Sequence, residues 1–200
     1  MTNNTSLKFL IFTGIMFFSG ISCKEKFNQP MDVTETEESK VTESQVDRGQ
    51  YLVQIMGCND CHSPKRMGPK GPEIIPELML SGYPSERPLV DFKSPLLQEG
   101  FGMFYPDLTG AAGPWGISFA ANLTPDETGI GNWTEEQFKI ALTQGKSKGL
   151  ENGRPLLPPM PWFNYTNMKD EDVSAIYAYL KSIDPVSNTV PAPVPPAASE

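Results

Sequence analysis

The chain has 200 residues, enough for one domain with its own core, and a formal charge of −8. That acidic balance argues against nucleic acid or anionic lipid as the partner and suits docking to a positively charged protein surface. Twenty prolines and seventeen glycines point to short helices joined by ordered loops.

The N-terminus reads as a targeting segment. Lys8 precedes the apolar run Phe9 to Phe18, FLIFTGIMFF. The run is too short to span a bilayer and has the length of a signal-peptide apolar region. Small residues then lead into a cysteine, Ser19-Gly-Ile-Ser-Cys23. This resembles the lipobox of bacterial lipoproteins, with one departure: Gly20 stands where an aliphatic residue is usual. Residues 1–22 are therefore expected to be a lipoprotein-type signal peptide, and Cys23 the lipidated residue. An odd cysteine in an exported chain needs an explanation, and lipidation supplies one. Residues 23–44 are mostly Glu, Thr, Ser and Lys without a periodic apolar face. They read as a disordered tether, which at about 20 residues has a root-mean-square span of roughly 25 Å.

The folded domain is expected over residues 45–187. Val46, Gly49, Leu52, Val53 and Met56 recur at helical spacing, so residues 45–57 read as an amphipathic helix ending at Gly57. Cys58-Asn-Asp-Cys61-His62 follows at once. Residues 63–132 are rich in Pro and Gly; a short helix near Ile74–Leu80 and otherwise ordered loop are expected. So long a loop is unusual in a compact domain, unless a large prosthetic group gives it a surface to pack on. Thr134-Glu-Glu-Gln137 is a capping box. Phe138, Ala141 and Leu142 give the helix after it an apolar face, and Gly145 is its stop. A last helix is expected over 170–183. Asp170, Glu171 and Asp172 sit in its first turn, where the helix dipole favours acids. Val173, Ile176, Tyr177, Leu180 and Ile183 form its buried stripe, and Pro185 ends it. Residues 188–200 read as a Pro-rich flexible tail.

C-x-x-C-H is the attachment signature of c-type haem: both thiols form thioethers to the vinyl groups, and the adjacent His becomes the proximal iron ligand. Its competitors fit poorly. A redox dithiol belongs at a helix start after a strand, whereas this pair follows a helix. A structural zinc needs four ligands, and Cys58, Cys61 and His62 supply three in a chain with a single His. A plain Cys58–Cys61 disulfide leaves His62 without a role. The single His also rules out a second imidazole on the iron. Of nine methionines, Met1, Met16, Met31 and Met56 lie in the signal, the tether or the helix leading into the motif. Among the rest, Met160 stands in Leu156-Leu-Pro-Pro-Met-Pro-Trp162, where three prolines stiffen the loop and apolar neighbours exclude water. Met160 is the expected distal ligand and Met103 the second choice. Met67, Met79 and Met168 read as packing residues. Asn122-Leu-Thr-Pro-Asp-Glu-Thr-Gly129 reads as a turn, because the calcium-loop spacing is absent.

Four pieces in order carry a resemblance: Cys58-Asn-Asp-Cys-His62, Ala121-Asn-Leu-Thr-Pro-Asp through Phe138, Pro158-Pro-Met-Pro-Trp162, and Asp170-Glu-Asp-Val through Lys181. Together they resemble class I c-type cytochromes. Among these they are most similar to bacterial exported monohaem cytochromes and to the haem subunits of periplasmic alcohol dehydrogenases. The resemblance implies an all-α fold of short helices around one covalent haem c, with His62 and Met160 as axial ligands. It also implies a first and last helix crossing at Gly49 and Tyr177, and a proximal His whose free N–H meets the carbonyl of Pro72 or Pro69. The family usually caps its last helix with Thr. Lys169 stands there, and Asn167 is the candidate substitute.

The expected function is electron transfer at the surface of a bacterial membrane, on the periplasmic or cell-surface side. Such a lipid-anchored carrier would serve a dehydrogenase donor and an oxidase or other acceptor, without catalysis of its own. One alternative is a haem subunit of a periplasmic dehydrogenase complex. Another is a peroxidase or gas sensor with five-coordinate haem, which would need Met160 off the iron.

Overall fold

The computed structural model describes residues 33–90, 92 and 94–196. The expected signal peptide, Cys23 and the first part of the tether lie outside the described residues.

Helix α1 runs Val33–Ile55. It therefore begins well before the expected start at Gln45, inside the stretch read as a disordered tether. No Gly or Pro interrupts residues 33–48. A helix already anchored at one end extends without a new nucleation cost, so it needs no buried face to continue. Gly57 stops it as expected, in the left-handed conformation with φ 71°. Helix α2, Cys58–His62, follows directly.

Between the helices the chain also carries short strands, which the expected all-α class does not include. Strands β1 (Lys65–Gly68) and β2 (Gly71–Ile74) form an antiparallel hairpin. A 3₁₀ turn at Pro76–Leu78 stands where a short helix was expected. Helix α3, Pro95–Gln98, is one turn capped by the Ser94 hydroxyl. Strands β3 (Met103–Phe104), β4 (Gly110–Gly113) and β5 (Gly116–Phe119) then pair antiparallel in the order β3-β4-β5. β4 is Gly-Ala-Ala-Gly and buried throughout. Such a strand carries neither alternation nor β-branched residues to announce itself.

Helix α4, Glu135–Gln144, has the expected capping box on Thr134 and Gln137, and Gly145 closes it at φ 65°. Helix α5 is Asp170–Ser182. Its N-cap is Lys169 with no side-chain cap, so Asn167 does not substitute for Thr. The Lys139–Asp170 ion pair (2.8 Å) ties its first turn to α4 instead. Leu52 and Val53 of α1, Phe138 and Leu142 of α4, and Val173, Ile176 and Leu180 of α5 pack with Leu80 and Ile130 into one core.

Helices α1 and α5 cross at Gly49, but the aromatic there is Tyr179, not Tyr177. A Cβ on Gly49 would lie 1.9 Å from the Ala175 carbonyl oxygen and 2.7 Å from Tyr179 Cβ. Residues 175 and 179 are one turn apart on the same face, whereas 177 points elsewhere. The Tyr177 hydroxyl donates to the Trp133 carbonyl at 2.7 Å.

The tail expected to be flexible is fastened through residue 196. The buried Asn188 amide donates to the carbonyls of Ser81 (2.7 Å) and Tyr83 (2.9 Å) and accepts from the Ser85 N–H (2.8 Å). Val194 and Ile117 of β5 exchange two backbone hydrogen bonds, at 2.8 and 3.0 Å. Prolines fill the other positions of 193–196, so Val194 holds the only N–H there. Residues 197–200 lie outside the described residues.

Candidate functional site

Helix α2 places Cys58 and Cys61 three residues apart, on one face of a single turn, with His62 next. Both cysteines are half-buried, and no disulfide joins them. Burial pushes the Cys58 thiol up to about 11 and raises Cys61 as well, with the Asp60 charge adding to both. A redox dithiol needs the opposite, a thiol held low so that thiolate is present. Among the described residues, no cluster of three or more His, Cys, Asp or Glu could hold a metal ion.

His62 Nδ1 lies 2.7 Å from the Ala121 carbonyl oxygen. A carbonyl only accepts, so Nδ1 carries the proton and Nε2 keeps its lone pair. Burial pushes the imidazole below its ordinary value. The Ala121 carbonyl opposes this, and the Lys65 charge adds to it. The Ala121 bond thus leaves Nε2 as the ring nitrogen free to ligate a metal.

The partner expected for this N–H was the Pro72 carbonyl, with Pro69 as the other candidate. Ala121 holds it instead. Residues 65–74 fold into their own hairpin, where Pro72 pairs with Met67 and Pro69 lies in the turn. The segment around Ala121 runs beside the chain after α2. The Tyr83 N–H donates to the Ala120 carbonyl (3.0 Å), Leu123 N–H to Leu80 (2.8 Å), and Gly82 N–H to His62 itself (2.8 Å). Asn122 anchors that segment. Its Oδ1 accepts from the Thr124 N–H (2.9 Å) and hydroxyl (2.8 Å), and its amide donates to the Val186 carbonyl (2.8 Å). The sequence had shown Ala121-Asn-Leu-Thr as a motif and offered only a turn as its role.

Met160 is half-buried and packs against the core together with Cys58, Met56, Met79, Met168, Leu123 and Tyr165. Two contacts hold its loop. The Ser118 hydroxyl of β5 donates to the Pro158 carbonyl at 2.5 Å, and the Leu156 N–H donates to Gly145 at 2.7 Å. A 3₁₀ turn, Trp162–Tyr165, follows. Burial raises the Tyr165 phenol, and the charges of Cys58 and Cys61 raise it further. The turn after Met160 packs, through Tyr165, against the same core as Cys58. Met103 sits elsewhere, in β3 opposite Ala112 and 38% exposed. Met67 is 74% exposed on the β1–β2 hairpin.

Two thiols on one turn, an imidazole with its Nε2 lone pair free, and a thioether in an apolar surround are the donors a covalent haem takes. The family model described as Cytochrome c matches residues 46–184. The chain belongs to the cytochrome c family.

The cytochrome is 30% identical over 155 residues to the fructose dehydrogenase cytochrome subunit of Gluconobacter japonicus. It is 28% identical over 152 residues to the gluconate 2-dehydrogenase cytochrome c subunit of Pantoea cypripedii. It is 42% identical over 80 residues to a nicotinate dehydrogenase subunit of Pseudomonas putida. The first two alignments each cover 75% of this chain but 24% and 26% of the relative; the third covers 40% and 6%. The chain thus spans about a quarter or less of these relatives' lengths. A covalent haem c and a role as electron carrier come with the family. No helix among the described residues is long and apolar enough to cross a membrane.

Proposed function

We propose that this cytochrome carries single electrons at the exported face of a bacterial membrane. Cys58 and Cys61 would hold the haem through thioether links, His62 and Met160 would ligate its iron, and a lipid on Cys23 would be the anchor. The observation that carries this reading is the His62 ring. Its Nδ1–H is engaged at 2.7 Å by Ala121, and its Nε2 is left to ligate, directly after two half-buried thiols.

The haem, when bound, supplies a one-electron exchange between Fe(II) and Fe(III). The chain's own residues do the rest. Ala121 fixes the direction of the His62 lone pair and strengthens it as a donor. Three prolines stiffen the segment that presents the Met160 thioether, and a thioether opposite imidazole favours the reduced state. With His62 and Met160 both ligating the iron, no side of the haem would be left open to a substrate, which would separate a carrier from a peroxidase or gas sensor.

The optical spectrum of the oxidised protein tests this. Thioether ligation gives a weak far-red charge-transfer band, which Met160→Ala should abolish and Met103→Ala should leave. A wild-type protein without the band, and with rapid CO binding once reduced, would end the His62/Met160 reading. The anchor has its own test: globomycin, which blocks the lipoprotein signal peptidase, should cause the unprocessed chain to accumulate. Unchanged processing would exclude lipidation at Cys23.

A second reading has a specific observation in its favour, because the similar proteins are named as cytochrome subunits of dehydrogenases. In it, this chain is the electron-accepting subunit of a periplasmic dehydrogenase complex rather than a free shuttle. Purification from native membranes separates the two. A large subunit retained through high-salt washing supports the complex, and a cytochrome recovered alone supports the shuttle.

A further inference from the structure

Lys65 opens β1, three residues beyond His62. Its Nζ lies 2.6 Å from the Asp60 carbonyl oxygen, 2.9 Å from that of Ser63, 3.0 Å from that of Asp107 and 3.2 Å from that of Asn59. All four partners are acceptors without a proton to give, so the group at their centre is the three-donor ammonium. Asn59 and Asp60 belong to α2, the helix that carries Cys58, Cys61 and His62. The cation is therefore docked on the backbone of the candidate haem-binding turn and is itself half-buried.

Its charge is not cancelled at contact distance. Two carboxylates act on it from beyond contact distance, those of Asp107 and Asp60; that of Asp107 is held by Arg87 through bonds of 3.0 and 2.6 Å and by the Thr109 hydroxyl at 2.8 Å. Every hydrogen-bond partner of Lys65 among the described residues is a neutral carbonyl. The charge sits at the motif itself, since Nζ lies 2.6 and 3.2 Å from backbone oxygens of the turn that carries Cys58, Cys61 and His62.

We infer that Lys65 sets the reduction potential: a fixed positive charge against the back of α2 favours the reduced state of the haem held by that helix. This rests on the reading of Cys58, Cys61 and His62 given above. Oxidation sends one electron to the redox partner and takes Fe(II) to Fe(III), leaving the site one unit more positive. A neighbouring ammonium opposes that gain, and does so more strongly away from bulk water. Lys65 is a positioning residue as well, because it stitches α2, Ser63 and the Asp107 turn together. The two roles differ in what they move.

The test uses the full chain with covalent haem, in three variants. Lys65→Gln keeps N–H donors for the carbonyls and removes the charge. Lys65→Met keeps the stem alone, and Lys65→Arg keeps the charge. Midpoint potentials come from spectroelectrochemical titration, and stability from urea unfolding. Both neutral variants should fall below wild type in potential, and Lys65→Arg should stay close to it, whatever the order of their stabilities. Unchanged midpoints in Lys65→Gln and Lys65→Met would overturn the inference, as would a Lys65→Arg midpoint as low as theirs. It also falls if the neutral variants, or all three, cannot take up haem, since the role is then structural. Failure of the underlying reading would look different: a Cys58→Ala, Cys61→Ala protein would still retain haem through denaturing electrophoresis.

Discussion

Gly49 is the residue on which the α1–α5 crossing depends. Gly49→Ala would put a methyl 1.9 Å from the Ala175 carbonyl oxygen, against backbone that cannot yield by a side-chain rotation. The helices must separate, and the expected loss is roughly 2 kcal/mol, typical of an overpacked core. A urea titration should show a lower midpoint with an unchanged slope; an unaltered midpoint would mean that the helices do not meet this closely. The same position measures what was legible at this scale. Gly49 was legible only through the family resemblance, and the Cys58-x-x-Cys61-His62 motif through its local spacing. Tyr179 and Ala121 were not legible. Tyr179 was set by the rotational phase of a second helix. Ala121 is 59 residues from His62, and its role depends on a carbonyl, which every residue type possesses.

At the scale of elements, α4 and α5 were legible because caps and stripes are written into single segments. β1 to β5 were not. Each spans at most four residues, and β4 is made of Gly and Ala. What these strands do for the site is also non-local. Ser118 of β5 holds the loop of Met160 through the Pro158 carbonyl, and the Trp115 indole N–H donates to the same hydroxyl at 3.2 Å. Ser118→Ala removes that hold and leaves a carbonyl unpaired, a cost of about 1–3 kcal/mol. On the proposed Met160 ligation, the oxidised variant should take up cyanide faster than wild type, because the loop would release the thioether more often. Equal cyanide rates would show that β5 does not restrain the loop.

At the scale of the whole molecule, charge governs encounter. Residues 1–22 carry one Lys and no acid, so the rest holds 15 Lys+Arg against 24 Asp+Glu, a net −9. Association with a basic redox partner should weaken as salt rises, with the effect concentrated in the on-rate. Stopped-flow rates indifferent to ionic strength would exclude an electrostatically steered encounter. The acidic balance was plain in the composition. The fastening of the tail was not, because prolines that look like a spacer in sequence act here as a rigid strap.

The bridge between Val194 and Ile117 bears on solubility as well as on shape. A sheet of three strands has two outer margins, and each exposes backbone groups able to recruit a strand from another molecule. On one margin β3 has only two residues to offer. On the other the strap spends its only N–H and a carbonyl on β5, and its prolines have no N–H to pass the ladder on. A chain cut after Pro191 should keep helices α1 to α5 and the Asn188 contacts yet lose this cover, and light scattering should then report self-association that the longer chain resists. The Pro-rich end is thus a guard against the molecule templating its own aggregation.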